Sequence, residues 1–259
     1  YLLFLTIKRT IFDTQSPASS INRFFPFYFF LVGLVLANMV VLKGLVHLGW
    51  QLDAGSSFLI VLIVATLIML LGLWLARFVP YPPNEKRFRQ HIYVEKRFSI
   101  LMLFTACAMV FAHGSNDVAI AMGPIAAIIS LVRHNGQIVG AFPYWILWFG
   151  GFGVIVGLFM YGRKVIATVG SNITDLTPSR AFAATLAGAS TVICSTSFGI
   201  PVSATQTLVG GVLGIGLARG LAALNVTTVR NIFMSWLVTV PAGAGLSIVI
   251  FYVLKDLFA

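Results

Sequence analysis

The sequence predicts an all-α membrane protein: a polytopic helical bundle with two interrupted or re-entrant helices. Three observations carry this. Of 259 residues, 59% are apolar and only 9% charged, whereas a soluble domain carries about 25% charged residues. The apolar residues fall in runs long enough to cross a hydrocarbon core of ~30 Å. Two of those runs are broken by short polar stretches containing glycine, His113–Asp117 and Ser195–Thr207.

The same numbers exclude other classes. The net charge of +10 comes from basic residues scattered between apolar runs. That pattern assigns them to cytoplasmic loops and not to a nucleic-acid surface. Cys107 and Cys194 both lie inside apolar runs, where a thiol packs as a small hydrophobe. Neither they nor the histidines show a zinc spacing, so no metal is expected beyond a Na⁺ at Asp117.

Taken in order, Tyr1–Ile7 is apolar and reads as the tail of a preceding segment. Lys8–Arg23 reads as a polar loop, which makes residues 1–23 the end of a preceding segment and a loop before the bundle at 24–259. Phe24–Leu48 is the first full span, with Lys43 and His47 near its end, where a lysine can reach the interface. Gly49–Ser56 is a turn. Phe58–Val79 is the second span, closed by Pro80, Pro82 and Pro83. Asn84–Phe98 is the most charged loop, and the positive-inside rule places it in the cytoplasm. Ser99–Val132 would be about 51 Å long as one helix, too long for a single crossing, so a break over His113–Asp117 is expected. Arg133–Pro143 is a turn and Tyr144–Tyr161 a span. Gly162–Arg180 is a second cytoplasmic loop. Ala181–Ala218 is the second broken element and Asn231–Leu254 the last span.

Asp117 is the one carboxylate inside a long apolar run. A charge at membrane depth costs about 2.5–3.5 kcal/mol on insertion scales, so it persists where it faces a cavity, an ion or a partner. Gly114 and the short polar residues beside it are weak helix formers, which predicts a polar pocket at the break. In the second break, Gly199 suits a helix C-terminus and Pro201 the first position of a new helix. Ser203, Thr205 and Gln206 would then sit in a first turn beside free backbone N–H groups, an arrangement suited to an anion. Two interrupted membrane helices in one chain are the pattern of a secondary-transporter site.

Ala112-His113-Gly114-Ser115-Asn116-Asp117-Val118-Ala119, followed by Gly123-Pro124, resembles the signature of the PiT family of inorganic phosphate transporters. Gly199-Ile200-Pro201-Val202-Ser203-Ala204-Thr205 is similar to a second segment of that family. Ile173–Arg180, Gly214–Gly220 and Ser235–Thr239 fit it as well. The family carries its signature twice, in inverted repeats. The single copy here resembles the C-terminal one, so residues 24–259 would be one half of an inverted-repeat transporter, with the N-terminal repeat of the same transporter as partner. Ile120 stands where the family has a second signature Asn, and Gln206 where it often has His.

The resemblance implies cation-coupled symport of inorganic phosphate by alternating access across an inner or plasma membrane. The expected phosphate donors are Asn116, Ser203, Thr205 and Gln206, with backbone N–H groups. An ionised Asp117 can only accept. Its expected task is to hold the coupling cation, Na⁺ or H⁺, with Ser195, Thr196 and Ser197. No other cofactor is expected, and a homo-oligomer is compatible with the sequence. Plainer readings remain open at single positions: Asp117 paired with His113, or Ser203 and Thr205 as ordinary helix-start residues. A sulfate permease on the same fold, a passive anion channel and a structural membrane subunit are the rival functions. An enzyme is not expected, because no nucleophile–base pair accompanies the single intramembrane carboxylate.

Overall fold

The computed structural model describes residues 1–41, 53–81, 86–133 and 144–258. Lys43, His47, residues 49–52 of the expected turn, Pro82, Pro83, Asn84, Glu85 and the turn after Arg133 lie outside the described residues. The described chain is helical, and five of its helices are long and apolar enough to cross a membrane: Pro17–Met39, Gly55–Ala76, Arg87–Arg133, Tyr144–Asn172 and Val226–Phe258.

Helix α1 (Leu2–Ile7) runs into a π-turn at Lys8–Phe12, and α2 (Pro17–Met39) starts with its proline at the first helical position. The polar loop expected over Lys8–Arg23 is thus helical on both sides of a short turn. The cause is an apolar stripe beneath the polar residues. Ala18, Ile21, Phe25, Tyr28 and Val32, all buried, recur at the three-to-four-residue spacing of one helix face. Helix α3 (Ala54–Ala76) is capped by Asp53, whose carboxylate accepts from the N–H groups of Gly55 and Ser56 and from the Ser56 hydroxyl. Those donors hold the Asp53 carboxyl below the ordinary carboxylate range.

Helix α4 (Arg87–Arg133) corrects two expectations. The described part of the charged segment Asn84–Phe98 is not a loop but the first turns of this helix. Tyr93, Val94, Phe98 and Leu101 are buried at helical spacing, and the Arg97 guanidinium lies over the rings of Phe25 and Tyr93, 5.1 Å from each. Nor does α4 break at His113–Asp117; it is continuous for 47 residues. One glycine costs about 1 kcal/mol in a helix interior, and no proline precedes Pro124 to remove a ladder bond. Ser115 donates its hydroxyl back to the Ala112 carbonyl at 3.1 Å. Buried Ala108 and Ala112 meet α7 (Pro178–Ser197) in a shared apolar cluster, so packing holds the stretch helical.

Helix α5 (Tyr144–Gly157) continues through a π-turn, α6 (Arg163–Ala167) and a second π-turn ending at Asn172. The loop expected over Gly162–Arg180 is therefore helical up to Asn172. Thr168 and Ser171 donate their hydroxyls to the carbonyls four residues back, at 3.0 and 2.7 Å, which lets polar residues stay in a helix. Helix α7 and α8 (Ala204–Arg219) are separated by the expected break, and α9 (Val226–Phe258) closes the chain with no buried residue.

α4 is the central element, packed against α2, α5 and α7. Its core joins with Tyr28, Phe98 and Phe182, whose ring centroids lie 5.5–6.1 Å apart. Helices in lipid gain little from apolar burial against one another, so close packing and interhelical bonds matter more. A Cβ on Gly33 would lie 2.7 Å from the Ala65 carbonyl of α3, and one on Gly211 2.8 Å from the Ala184 carbonyl of α7. Glycine is what permits those approaches. Between α4 and α7, Thr185 donates to the Thr105 hydroxyl at 2.8 Å, and Glu95 accepts from the Ser179 N–H at 2.9 Å and its hydroxyl at 2.8 Å. That carboxylate caps the N-terminus of α7 from a neighbouring helix.

Candidate functional site

α7 ends in a closed C-terminal turn. Gly199 has φ +70°, the left-handed region that favours glycine. The Ile200 N–H donates to the Ser195 carbonyl at 2.9 Å, and the Gly199 N–H to the Thr196 carbonyl at 3.0 Å. These are the two bonds of a Schellman cap. The carbonyls of Ser195 and Thr196, two of the residues expected to hold the cation, are therefore engaged. The hydroxyls keep that option. Thr196 donates to the Val192 carbonyl at 2.6 Å and Ser197 to that of Ile193 at 2.8 Å. A hydroxyl whose proton is turned back along the helix still offers oxygen lone pairs outward.

The chain then runs through Ile200, Pro201 and Val202 to α8. Pro201 is not the first helical residue, as the sequence suggests. Ser203 has extended backbone, φ −76° and ψ 116°, and is the N-cap of a helix that begins at Ala204. Three linker residues take the place of a turn of helix because Ser203 satisfies a helix start better than proline does. Its hydroxyl accepts from the Gln206 N–H at 3.3 Å. The first N–H groups of a helix have no partner within it. With the one on Gln206 taken, those of Ala204 and Thr205 remain beside the Thr205 hydroxyl and the Gln206 amide.

α4 supplies the other half. The Asn116 side chain, 4% exposed, donates its amide to the Val202 carbonyl at 2.7 Å across 86 residues of sequence. That bond fixes the linker one residue ahead of the Ser203 cap. Next to it, the Asp117 carboxylate lies 3.4 Å from the same amide and 2.8 Å from His113 Nε2, one helical turn earlier. The His113–Asp117 pairing is the arrangement that follows from an unbroken α4, and both side chains are part-exposed, at 40% and 36%.

Two cavities flank the linker. One of about 220 Å³ lies between α2, α4 and α7 and is lined by Met39, Ala112, Ser115, Thr196 and Ser197 among others. The other, of about 630 Å³, is lined by Pro201, Ser203, Gln206 and Thr207, with Gly210 and Gly211. The structure thus gathers Thr196 and Ser197 on one side and Ser203 and Gln206 on the other, with Asn116 and Val202 linking α4 to the segment between them. Asn116, Asp117, Ser195 and Thr205 line neither of these cavities. Ser115 and the Val202 carbonyl were not singled out from sequence. Ser115 carries no signal there beyond its place in a polar stretch, and a backbone carbonyl carries none. No group of three or more His, Cys, Asp or Glu placed to hold a metal occurs among the described residues.

Comparison with known proteins bears on this arrangement. A family model described as the phosphate transporter family matches residues 1–247. A candidate phosphate permease of Haemophilus influenzae is 49% identical over 266 residues, covering 100% of this chain and 62% of its own. The chloroplastic inorganic phosphate transporter 2-1 of Arabidopsis thaliana is 49% identical over 155 residues, 59% of this chain and 26% of that protein. A solved sodium-dependent phosphate transporter superposes with a TM-score of 0.84 at 33% identity, covering 100% of this chain and 62% of its own length. The chain spans under two thirds of the length of these relatives.

Proposed function

This chain belongs to the phosphate transporter family, a class of transporters and not of enzymes, and from that premise we propose that it forms part of a Na⁺-coupled symporter of inorganic phosphate. The observation that carries the proposal is the 2.7 Å bond from Asn116 to Val202. It ties the Asp117-bearing turn of α4 to the start of α8, so a cation acceptor and an anion-donor set are held by neighbouring atoms. Phosphate is held by the N-terminus of α8, the hydroxyls of Ser203 and Thr205 and the Gln206 amide, with the Asn116 amide beside them.

Asp117 serves the cation, with the outward lone pairs of Thr196 and Ser197 and a contribution from Ser195. Likeness to a protein called a sodium-dependent phosphate transporter favours Na⁺ over H⁺. Each ion lowers the electrostatic cost of the other. Such mutual dependence amounts to a coupling free energy of about 1–3 kcal/mol, and alternating access turns it into uphill transport. The remaining part of the site comes from the partner repeat, with residues 24–259 as the C-terminal half.

The test is labelled phosphate uptake into proteoliposomes carrying the full-length protein, wild type beside Asp117→Asn. Uptake should follow an inward Na⁺ gradient, and the variant should lose that dependence. Uptake indifferent to Na⁺ and to the substitution would make the protein a passive anion pathway. Direct uptake of sulfate at the rate of phosphate would move the substrate to sulfate.

A further inference from the structure

Away from the candidate site, a cavity of about 690 Å³ opens between the α1 end of the chain, the first turns of α4 and the start of α7. Lys8, Arg87 and Arg180 line it from these three elements. The acidic residues there are Asp13 and Glu95, and Glu95 is already committed to the N–H and hydroxyl of Ser179. Among the described residues, no ion pair joins the three cations to either carboxylate. Each guanidinium carries five donors. Arg87 is seen donating to the Phe12 carbonyl at 3.3 Å and Arg180 to that of Asp175 at 3.0 Å. Burial, then the nearby cation of Arg219, press the Arg180 guanidinium below its ordinary pKa, against the opposing pull of the Glu95 and Asp175 carboxylates.

The walls are aromatic. Phe4 and Phe12 face the same space, and Phe88, 76% exposed, stands in the first turn of α4. A free phosphate ion gains nothing from such a rim, whereas a lipid lays its acyl chains along it. A basic pocket between membrane helices beside apolar surface has the chemistry of a headgroup site.

We propose that this cavity binds the phosphate headgroup of an anionic phospholipid, with Lys8, Arg87 and Arg180 as donors and Phe88 at the mouth.

The test is native mass spectrometry of the full-length protein, titrated with phosphatidylglycerol and, separately, with phosphatidylcholine. Wild type should retain phosphatidylglycerol and not phosphatidylcholine. Each basic side chain near an anionic headgroup contributes about fivefold, so K8Q/R87Q should bind phosphatidylglycerol on the order of thirtyfold more weakly. K8R/R87K keeps both charges and should bind as wild type does, which separates lost charge from a lost fold. Equal retention of the two lipids, or undiminished phosphatidylglycerol binding by K8Q/R87Q, would overturn the proposal. Displacement of phosphatidylglycerol by inorganic phosphate would also overturn it, because the cavity would then be a free-phosphate site.

Discussion

Replacing Asn116 by alanine deletes a 2.7 Å hydrogen bond from a side chain that is 4% exposed. A protein hydrogen bond contributes about 0.5–1.5 kcal/mol net, and an acceptor left unpaired in a buried place costs about 1–3 kcal/mol. The freed acceptor is the Val202 carbonyl, one residue from the cap that sets the first turn of α8. That energy therefore falls on the position of the anion donors. At 1.4 kcal/mol per factor of ten, half-saturation for phosphate should rise on the order of tenfold in N116A. N116D is nearly isosteric but, when ionised, can only accept. It would set a charge against both the Val202 carbonyl and Asp117, and should fall below N116A. The assay is concentration-dependent phosphate uptake at saturating Na⁺, run beside thermal unfolding of each variant. N116A with wild-type half-saturation and a lowered melting temperature would refute the reasoning, because the bond would then serve only the fold.

Three further substitutions probe the frame around the site. G199A keeps open space around the new Cβ, so its cost is backbone strain alone at φ +70°; a loss of about 1–2 kcal/mol is expected, read by thermal unfolding. G211A places a Cβ 2.8 Å from the Ala184 carbonyl and should destabilise by about 1–3 kcal/mol as α7 and α8 are pushed apart, with G210A, which has open space there, as the mild control. E95Q removes the charge from the acceptor that caps α7; it should cost about 1–3 kcal/mol of stability while leaving the Na⁺ dependence of uptake intact, as measured in the same vesicles.

Composition was enough to read the all-α membrane class, because a chain so poor in charge has few other solutions. The break after Ser197 was also legible. Gly199 is needed for a left-handed cap, and the residues after it cannot propagate a helix through Pro201. The continuity of α4 was not legible. Gly114, Ser115, Asn116 and Asp117 are weak helix formers, and only the packing of α7 against Ala108 and Ala112, together with the bonds of their own side chains, outweighs that weakness. Hydropathy also misplaced the helix ends at Pro17, Arg87 and Asn172. It marks where lipid contact stops, whereas the ladder continues wherever an apolar stripe or a back-bonding hydroxyl supports it. Within the candidate site, Ser203 was recognisable as a hydroxyl at a helix start. The pairing of Asn116 with Val202 spans 86 residues, and no local pattern encodes it.

As one unbroken helix, α4 has the form of a lever arm. It is fastened to α7 through Glu95 near one end and to the linker through Asn116 further along. The 21 residue steps between those points make about 32 Å of helix. If Glu95 serves as the fulcrum, a tilt of about 5° carries Asn116 through roughly 3 Å, which matches the length of the bond it would have to release. A helix broken at His113 would absorb such a tilt at the break and leave the linker where it was.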